Sequence, residues 1–225
     1  MRIPHVTSLS AVNGPELCCV VFFAYCNFKC RYCYNKDLVF PKEEEKSLSI
    51  EEVYNKLEGC KKLVDYVTLT GGEPLLNDEK ELSSFLRKLK ELKFKVKLDT
   101  NGSSPDKLQI LFDKKLIDFV SLDIKTDPTR YFLLTQKEGV VDLILSTLTL
   151  LKKSDVEFEV RIPLIPGFVD KKMLNFWIPH LKNVDRVSFN KFIAGRCLDS
   201  KFNAVTPLVE SEVHTLKTYF EEKTR

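Results

Sequence analysis

Apolar strand-like runs alternate regularly with amphipathic helical stretches along the whole chain, which predicts an α/β fold built on a parallel sheet. Two further observations narrow the prediction. The strand-like runs are mostly apolar rather than alternating, as strands covered by helices are. Six strand–helix units can be read, too few to close an eightfold barrel. The expected architecture is an open, curved partial (βα)6 TIM-like barrel, with a doubly wound open sheet as the alternative. At 225 residues and 44% hydrophobic content the chain can bury one sizeable core, and no break in composition divides it. One domain over 1–225 is expected.

The first strand is the run Leu17 to Ala24, Leu-Cys-Cys-Val-Val-Phe-Phe-Ala, apolar throughout. Ser49-Ile50-Glu51-Glu52 reads as a capping box opening a helix to about Gly59. Tyr66 to Thr70 is a second strand, and Asp78 with Glu81 caps a helix running through Leu92. Phe94 to Leu98 is a third strand. Ser104-Pro105 supplies an N-cap and a proline at the first helical position, and that helix ends near Lys115. Phe119 to Leu122 is the fourth strand, followed by a helix from about Val140 to Lys153. The fifth, Glu157 to Arg161, is expected to stop at Pro163. A helix from near Asp170 to Leu181 precedes a sixth strand, Asp185 to Phe189, and Thr206-Pro207 is expected to start the last helix.

Each unusual motif falls at the carboxyl end of one of these strands, the edge at which parallel α/β folds bind ligands. The most telling is Cys26-Asn27-Phe28-Lys29-Cys30-Arg31-Tyr32-Cys33, with three thiols in eight residues. Thiolates at such spacings on one loop point to a soft or borderline metal centre. A structural zinc site is normally closed by four protein ligands, so three cysteines indicate a centre with an open position, such as a four-iron cluster. Gly71-Gly72-Glu73-Pro74 lets backbone approach closely at a fixed turn, which suits an amino-acid-like ligand. Asp99-Thr100-Asn101-Gly102 and Asp123-Ile124-Lys125 place carboxylates at the tips of apolar strands, where they need partners or cap the next helix. Arg161, in Arg-Ile-Pro-Leu-Ile-Pro-Gly, and Lys125 bring positive charge to the same face, either for a carboxylate ligand or for salt bridges.

Composition bounds the partners. The formal net charge of +3 is too small to argue for nucleic acid. No apolar run approaches the ~20 residues of a membrane span, and no signal-peptide core follows Met1-Arg2-Ile3-Pro4, so a cytoplasmic location is expected. Seven cysteines, three of them clustered, fit a reducing compartment and a metal site better than a disulfide framework. Cys18, Cys19 and Cys60 read as core thiols; Cys197, after Gly195-Arg196, is placed either in the core or near the mouth of the site.

With CxxxCxxC and its aromatics Tyr32 and Tyr34, then GGEP, DTNG, DIK and RIPLIPG in this order, the whole chain resembles the glycyl radical enzyme activating proteins of the radical S-adenosylmethionine (SAM) superfamily. Anaerobic ribonucleotide reductase activating proteins are the nearest subgroup and pyruvate formate-lyase activating enzyme the next. The resemblance implies an open partial barrel of the radical SAM type. Cys26, Cys30 and Cys33 would ligate a [4Fe-4S] cluster whose fourth iron takes the amino and carboxylate groups of SAM. It further implies that Tyr32 contacts the adenine, that Gly71, Gly72 and Glu73 receive the methionine amino group, that Asp99 lies near the ribose, and that Lys125 and Arg161 steady the carboxylate. Cys33, Tyr34, Thr100, Asn101 and Asp123 complete the expected SAM surroundings, and Asp99, Thr100 and Asp123 match a monovalent cation site of pyruvate formate-lyase activating enzyme. Two positions depart from the pattern: Tyr34 stands where histidine is frequent, and Asn190-Lys191-Phe192 lacks the histidine that contacts SAM in that relative.

What the resemblance implies chemically is reductive cleavage of SAM to methionine and a 5′-deoxyadenosyl radical, which takes hydrogen from a glycine of a partner enzyme of the anaerobic ribonucleotide reductase type. A flavodoxin or ferredoxin type protein would supply the electron, with Lys29 and Arg31 as candidate contacts. Two rival functions remain. One is a radical SAM enzyme acting on a small molecule, as 7-carboxy-7-deazaguanine synthase does, against which the stretch Asn13-Gly14-Pro15-Glu16 counts. The other is a zinc or iron–sulfur module without catalysis, needing a fourth ligand from His5, Cys18, Cys19 or Cys197.

Overall fold

The computed structural model describes residues 1–44 and 46–224. One sheet runs in strict chain order through β1 (His5–Ser10), β2 (Cys18–Phe23), β3 (Tyr66–Gly71), β4 (Lys95–Thr100), β5 (Phe119–Asp123), β6 (Glu157–Leu164) and β7 (Val187–Lys191). Strands β2 to β7 are parallel. That order decides between the two expected architectures, because a doubly wound sheet reverses its strand order at a switch point and this one never does. The six parallel strands are those of an open partial barrel, with β1 and β7 at its edges.

The helices are α1 (Lys36–Val39), α2 (Ile50–Cys60), α3 (Glu79–Glu91), α4 (Pro105–Asp113), α5 (Tyr131–Thr135), α6 (Val141–Lys153), α7 (Lys171–Leu181) and α8 (Glu210–Thr224). Their starts follow from local chemistry. At α2 the Ser49 hydroxyl accepts from the Glu52 amide at 3.2 Å while the Glu52 carboxylate accepts from the Ser49 amide at 2.7 Å, the reciprocal box that was expected. Asp78 caps α3 through the Lys80 and Glu81 amides, and Asp170 caps α7 through the Met173 amide. Ser104 makes no side-chain cap, so Pro105 alone sets the start of α4. Ser49→Ala is expected to cost about 1 kcal/mol and to lower the melting temperature by about 2–4 °C, readable by calorimetry.

Four features differ from expectation. β1 is an added antiparallel strand on β2, and its polar run His-Val-Thr-Ser-Leu-Ser, with only Val6 buried, carries little strand signal. α5 is five residues long and starts at Arg130 without a side-chain cap. The last helix begins at Glu210 rather than Thr206, its start set by the Glu212 carboxylate on the Val209 amide. β6 continues through Pro163 to Leu164. It can do so because the Arg161 carbonyl receives the Ile124 amide, so residues of odd number on β6 turn their backbone groups toward β5. β5 ends at Asp123, opposite Arg161, and the proline nitrogen therefore interrupts no ladder.

The two faces of the sheet are chemically opposite. Val67, Leu69, Val96, Leu98, Val120, Leu122, Val160 and Ile162 are fully buried on the face that packs against the helices, with Phe85, Leu89, Leu111, Leu148, Leu174 and Trp177 in the same core. The inner face instead carries Thr68, Lys97, Asp99, Ser121, Asp123 and Arg161. The strands thus do alternate, with polar groups buried inside the curve of the sheet. Among the described residues no helix is long and apolar enough to cross a membrane.

Candidate active site

The carboxyl ends of β2 to β6, with the start of the loop after β7, surround a cavity of about 310 Å³. All the residues marked from the sequence line it: Cys26, Cys30 and Cys33, Tyr32 and Tyr34, Gly71, Gly72 and Glu73, Asp99, Thr100 and Asn101, Asp123, Lys125 and Arg161. They come from five segments spread over 136 residues of sequence, from Cys26 to Arg161. Strand order and parallel direction alone bring them to one edge.

The cysteine loop is pinned from several directions. Tyr25 takes a left-handed conformation (φ +69°), with its amide on the Leu38 carbonyl and its own carbonyl receiving the Glu73 amide at 2.9 Å. The Lys29 and Arg31 amides donate to the Thr135 and Leu134 carbonyls of α5, and the Leu198 and Asp199 amides donate to Cys33 and Arg31. Phe28, 1% exposed, anchors the middle of the loop in the core. α5, invisible in the sequence, is thus part of the scaffold of the site. Burial pushes the thiols of Cys26 and Cys30 up, to about 11 and about 12, so a metal centre must displace their protons to bind. Among the described residues no three His, Cys, Asp or Glu side chains stand close enough to share one ion. All three thiols line the cavity. The residues a zinc module would need lie elsewhere. His5 stacks on Phe22, Cys18 and Cys19 are buried in β2, and Cys197 packs with Leu134, Ile165, Phe192 and Phe202. Cys60 is likewise buried.

The GGEP turn closes against the cysteine loop. A Cβ on Gly72 would lie 2.0 Å from the Tyr25 carbonyl oxygen, and one on Gly71 (φ +104°) 2.7 Å from that of Phe23, so the absent side chains serve close packing of β3 on β2. Glu73 is 1% exposed, and its carboxylate accepts from the Leu75 amide (3.1 Å), the Asn101 amide (2.8 Å) and the Thr100 hydroxyl (3.0 Å). Burial raises its pKa to about 7 against the pull of these three donors. A carboxylate has about four acceptor positions, which leaves room for one more donor from the cavity.

Across the floor runs an alternating chain of charges. Lys97, on the inner face of β4, donates to Asp99 Oδ1, and the Thr70 hydroxyl donates to Oδ2 at 3.0 Å. Arg161 bridges both carboxylates, reaching Asp99 Oδ2 at 3.0 Å and Asp123 Oδ1 at 2.8 Å. Lys125 Nζ then lies 3.3 Å from Asp123 Oδ2 and 3.3 Å from the Tyr32 hydroxyl. Burial would raise the Asp123 carboxyl, but Arg161 and Lys125 outweigh it and hold it down at about 2. Burial likewise works against the charged form of Lys125, yet Tyr32 and Asp123 keep its pKa above the ordinary lysine value. Lys97 lies behind Asp99, so Arg161 and Lys125 are the cations of this charge chain that face the cavity, beside Asp99, Asp123 and Glu73. The Asp99 and Asp123 oxygens expected at a monovalent cation site receive Lys97, Arg161 and Lys125.

Sequence reasoning missed Lys97, which is 2% exposed. Its signal was the two-residue spacing to Asp99, which puts both side chains on one face of a strand. Arg31 pairs with Asp199 at 2.7 Å and covers the Phe202 ring. Lys29 stays exposed beside Phe40. Tyr34 stacks on Phe192 and accepts from the Ile193 amide at 2.6 Å, while Lys191 pairs with Glu210 and Asn190 lines the cavity.

Three thiols and four further strand ends around one cavity of an open partial barrel define the radical SAM class, and the Radical SAM superfamily profile matches residues 20–176. The chain belongs to that superfamily, and relatives named as activating enzymes are among those it matches. It is 30% identical over 219 residues to MJ1227 of Methanocaldococcus jannaschii, whose name places it provisionally among glycyl-radical enzyme activating enzymes, covering 95% of this chain and 89% of that one. It is 32% identical to the pyruvate formate-lyase-activating enzyme of Clostridium pasteurianum over 83% of this chain and 79% of the relative. Among solved structures, that of TYW1 with a lysine-pyruvate adduct bound shares the fold, with a TM-score of 0.66 over 91% of this chain and 73% of the other at 18% identity.

Proposed function

We propose that the chain, as a single radical SAM domain over 1–225, activates a glycyl radical enzyme of the anaerobic ribonucleotide reductase type in the cytoplasm. The observation that carries this reading is the convergence of the three thiols with a buried acceptor, Glu73, and the cations Lys125 and Arg161 in one cavity. Cys26, Cys30 and Cys33 would hold a [4Fe-4S] cluster, which when bound supplies the electron that splits SAM into methionine and a 5′-deoxyadenosyl radical. What the protein contributes is position and dryness. Glu73, with the Gly71–Gly72 turn, offers its remaining acceptor position to the methionine amino group. Arg161 and Lys125, which line the cavity, favour the methionine carboxylate. Asp99 and Thr100 face the ribose, and Tyr32 and Tyr34 offer ring faces to the adenine.

The hydrogen acceptor must meet a glycine Cα from a partner chain, and a sheet that is open between β7 and β1 gives a peptide loop a lateral approach. A flavodoxin or ferredoxin type protein would deliver the electron, with Lys29 as the remaining basic contact beside the loop. The test is anaerobic incubation of reduced protein, SAM and an anaerobic ribonucleotide reductase. The expected result is a glycyl radical signal by electron paramagnetic resonance with 5′-deoxyadenosine formed alongside. SAM turnover driven by a pterin, with no protein radical on any glycyl radical enzyme supplied, would overturn it.

A further inference from the structure

Asn101 is 6% exposed, and its backbone amide and both polar side-chain atoms are committed. Its backbone amide donates to Glu73 Oε2 at 2.8 Å, and its side-chain Oδ1 accepts from the Ser103 amide at 3.0 Å. Only an oxygen can accept there, so the orientation of the side-chain amide is fixed and Nδ2 faces the cysteine loop. One of its hydrogens goes to Asn27 Oδ1 at 2.9 Å, and the other points at Cys26 Sγ at 3.8 Å. The Phe28 amide also lies on that sulfur, at 3.4 Å. Asn27 Nδ2 in turn donates to the Ser103 hydroxyl at 2.7 Å, bracing the cysteine loop against the loop after β4.

From this geometry we infer that Asn101 sets the reduction potential of the cluster by donating its side-chain amide to the Cys26 sulfur. The inference rests on the proposed reading of Cys26 as a cluster ligand. When one electron enters the cluster from the external donor, its negative charge rises by one and spreads over the ligand sulfurs. A fixed N–H dipole aimed at one of them interacts more strongly with the reduced form than with the oxidised form, and so raises the potential. Outer donors of this kind tune a metal centre as well as orient its ligands. Asn101 is therefore a positioning residue that acts on the cluster through Cys26. It also links the cluster to the SAM site, since its backbone holds Glu73.

The test is a redox titration of the anaerobically reconstituted holoenzyme, with the reduced cluster read by electron paramagnetic resonance, for the wild type, Asn101→Asp and Asn27→Ala. Asn101→Asp keeps the acceptor for Ser103 and replaces the donor by a carboxylate oxygen. It should lower the reduced-to-oxidised ratio at fixed potential at least tenfold, about 59 mV for a one-electron couple. Asn27→Ala removes the brace but leaves the donor, and should change that ratio less than twofold. Iron-loaded Asn101→Asp within twofold of the wild type, or an equal shift in both variants, overturns the inference. Should Asn101→Asp load no iron, wild-type protein carrying 15N only in its asparagine side chains decides the matter. A 15N coupling to the reduced cluster in pulsed resonance supports the contact, and its absence refutes it. Wild-type protein that takes up no iron would instead remove the reading beneath it.

Discussion

Cys30→Ala is expected to abolish cluster binding and SAM cleavage together. Iron should fall from about four per chain to a trace, and 5′-deoxyadenosine formation should drop at least about 10³-fold, a modest fraction of the acceleration an enzyme provides. Cys30 is the most enclosed of the three thiols, 7% exposed, between the α5 carbonyls that receive Lys29 and Arg31. Loss of a thiol from this position leaves a centre with two protein ligands. Folding should survive, because a buried small apolar residue replaces another of similar size. Colorimetric iron analysis after anaerobic purification, with circular dichroism to check the fold, measures both parts of the expectation.

The second large effect belongs to Arg161. Its guanidinium is the only group that bonds both Asp99 and Asp123 among the described residues, at 3.0 and 2.8 Å. Arg161→Met leaves two carboxylates at a buried site with Lys97 and Lys125 as their remaining cations. Breaking a buried pair by removing one partner costs about 3–5 kcal/mol. At about 2–4 °C per kcal/mol for a chain of this size, the melting temperature should fall by about 6–20 °C. Arg161→Lys should recover little of this, since a point charge cannot bridge two carboxylates as the planar fork does. The acid limb of stability should move as well. Asp123 is held at about 2 in the folded protein, below its unfolded value, so its contribution is present above the unfolded pKa and is lost as pH falls toward 2. Without Arg161 the folded pKa rises, less stability is gained on going from acid to neutral pH, and acid unfolding should begin at a higher pH. Melting curves from pH 3 to pH 7 would read both the size and the slope.

How much of this was legible beforehand varied with the physics of each element. The motifs at the strand ends were readable because short requirements fix them: three thiols on a loop, two glycines where β3 meets β2, acids at the tips of apolar strands. Their convergence followed from the topology alone. The charge chain was not readable, because a sequence names a cation without naming its partner. Arg161 and Lys125 were expected to face a ligand carboxylate, and the structure adds that each already holds Asp123. Lys97 lies within the third expected strand without a role assigned to it, and is buried behind Asp99. β1 and α5 were hidden for another reason. Val6 is the one buried residue of β1, and α5 has five residues and no cap, so neither carries the periodicity from which elements are read. Both owe their form to what they pack on. Pro163 misled in the opposite sense, since a proline stops a strand only where the neighbouring strand needs its N–H.

The central claim is that Cys26, Cys30 and Cys33 hold a four-iron cluster whose open position receives SAM. Its most direct test is iron and sulfide analysis of anaerobically purified protein, combined with detection of 5′-deoxyadenosine and methionine after addition of dithionite and SAM. The account predicts about four irons per chain and equal amounts of the two products. Stoichiometric zinc in place of iron, or a full iron complement that leaves SAM intact, would contradict it.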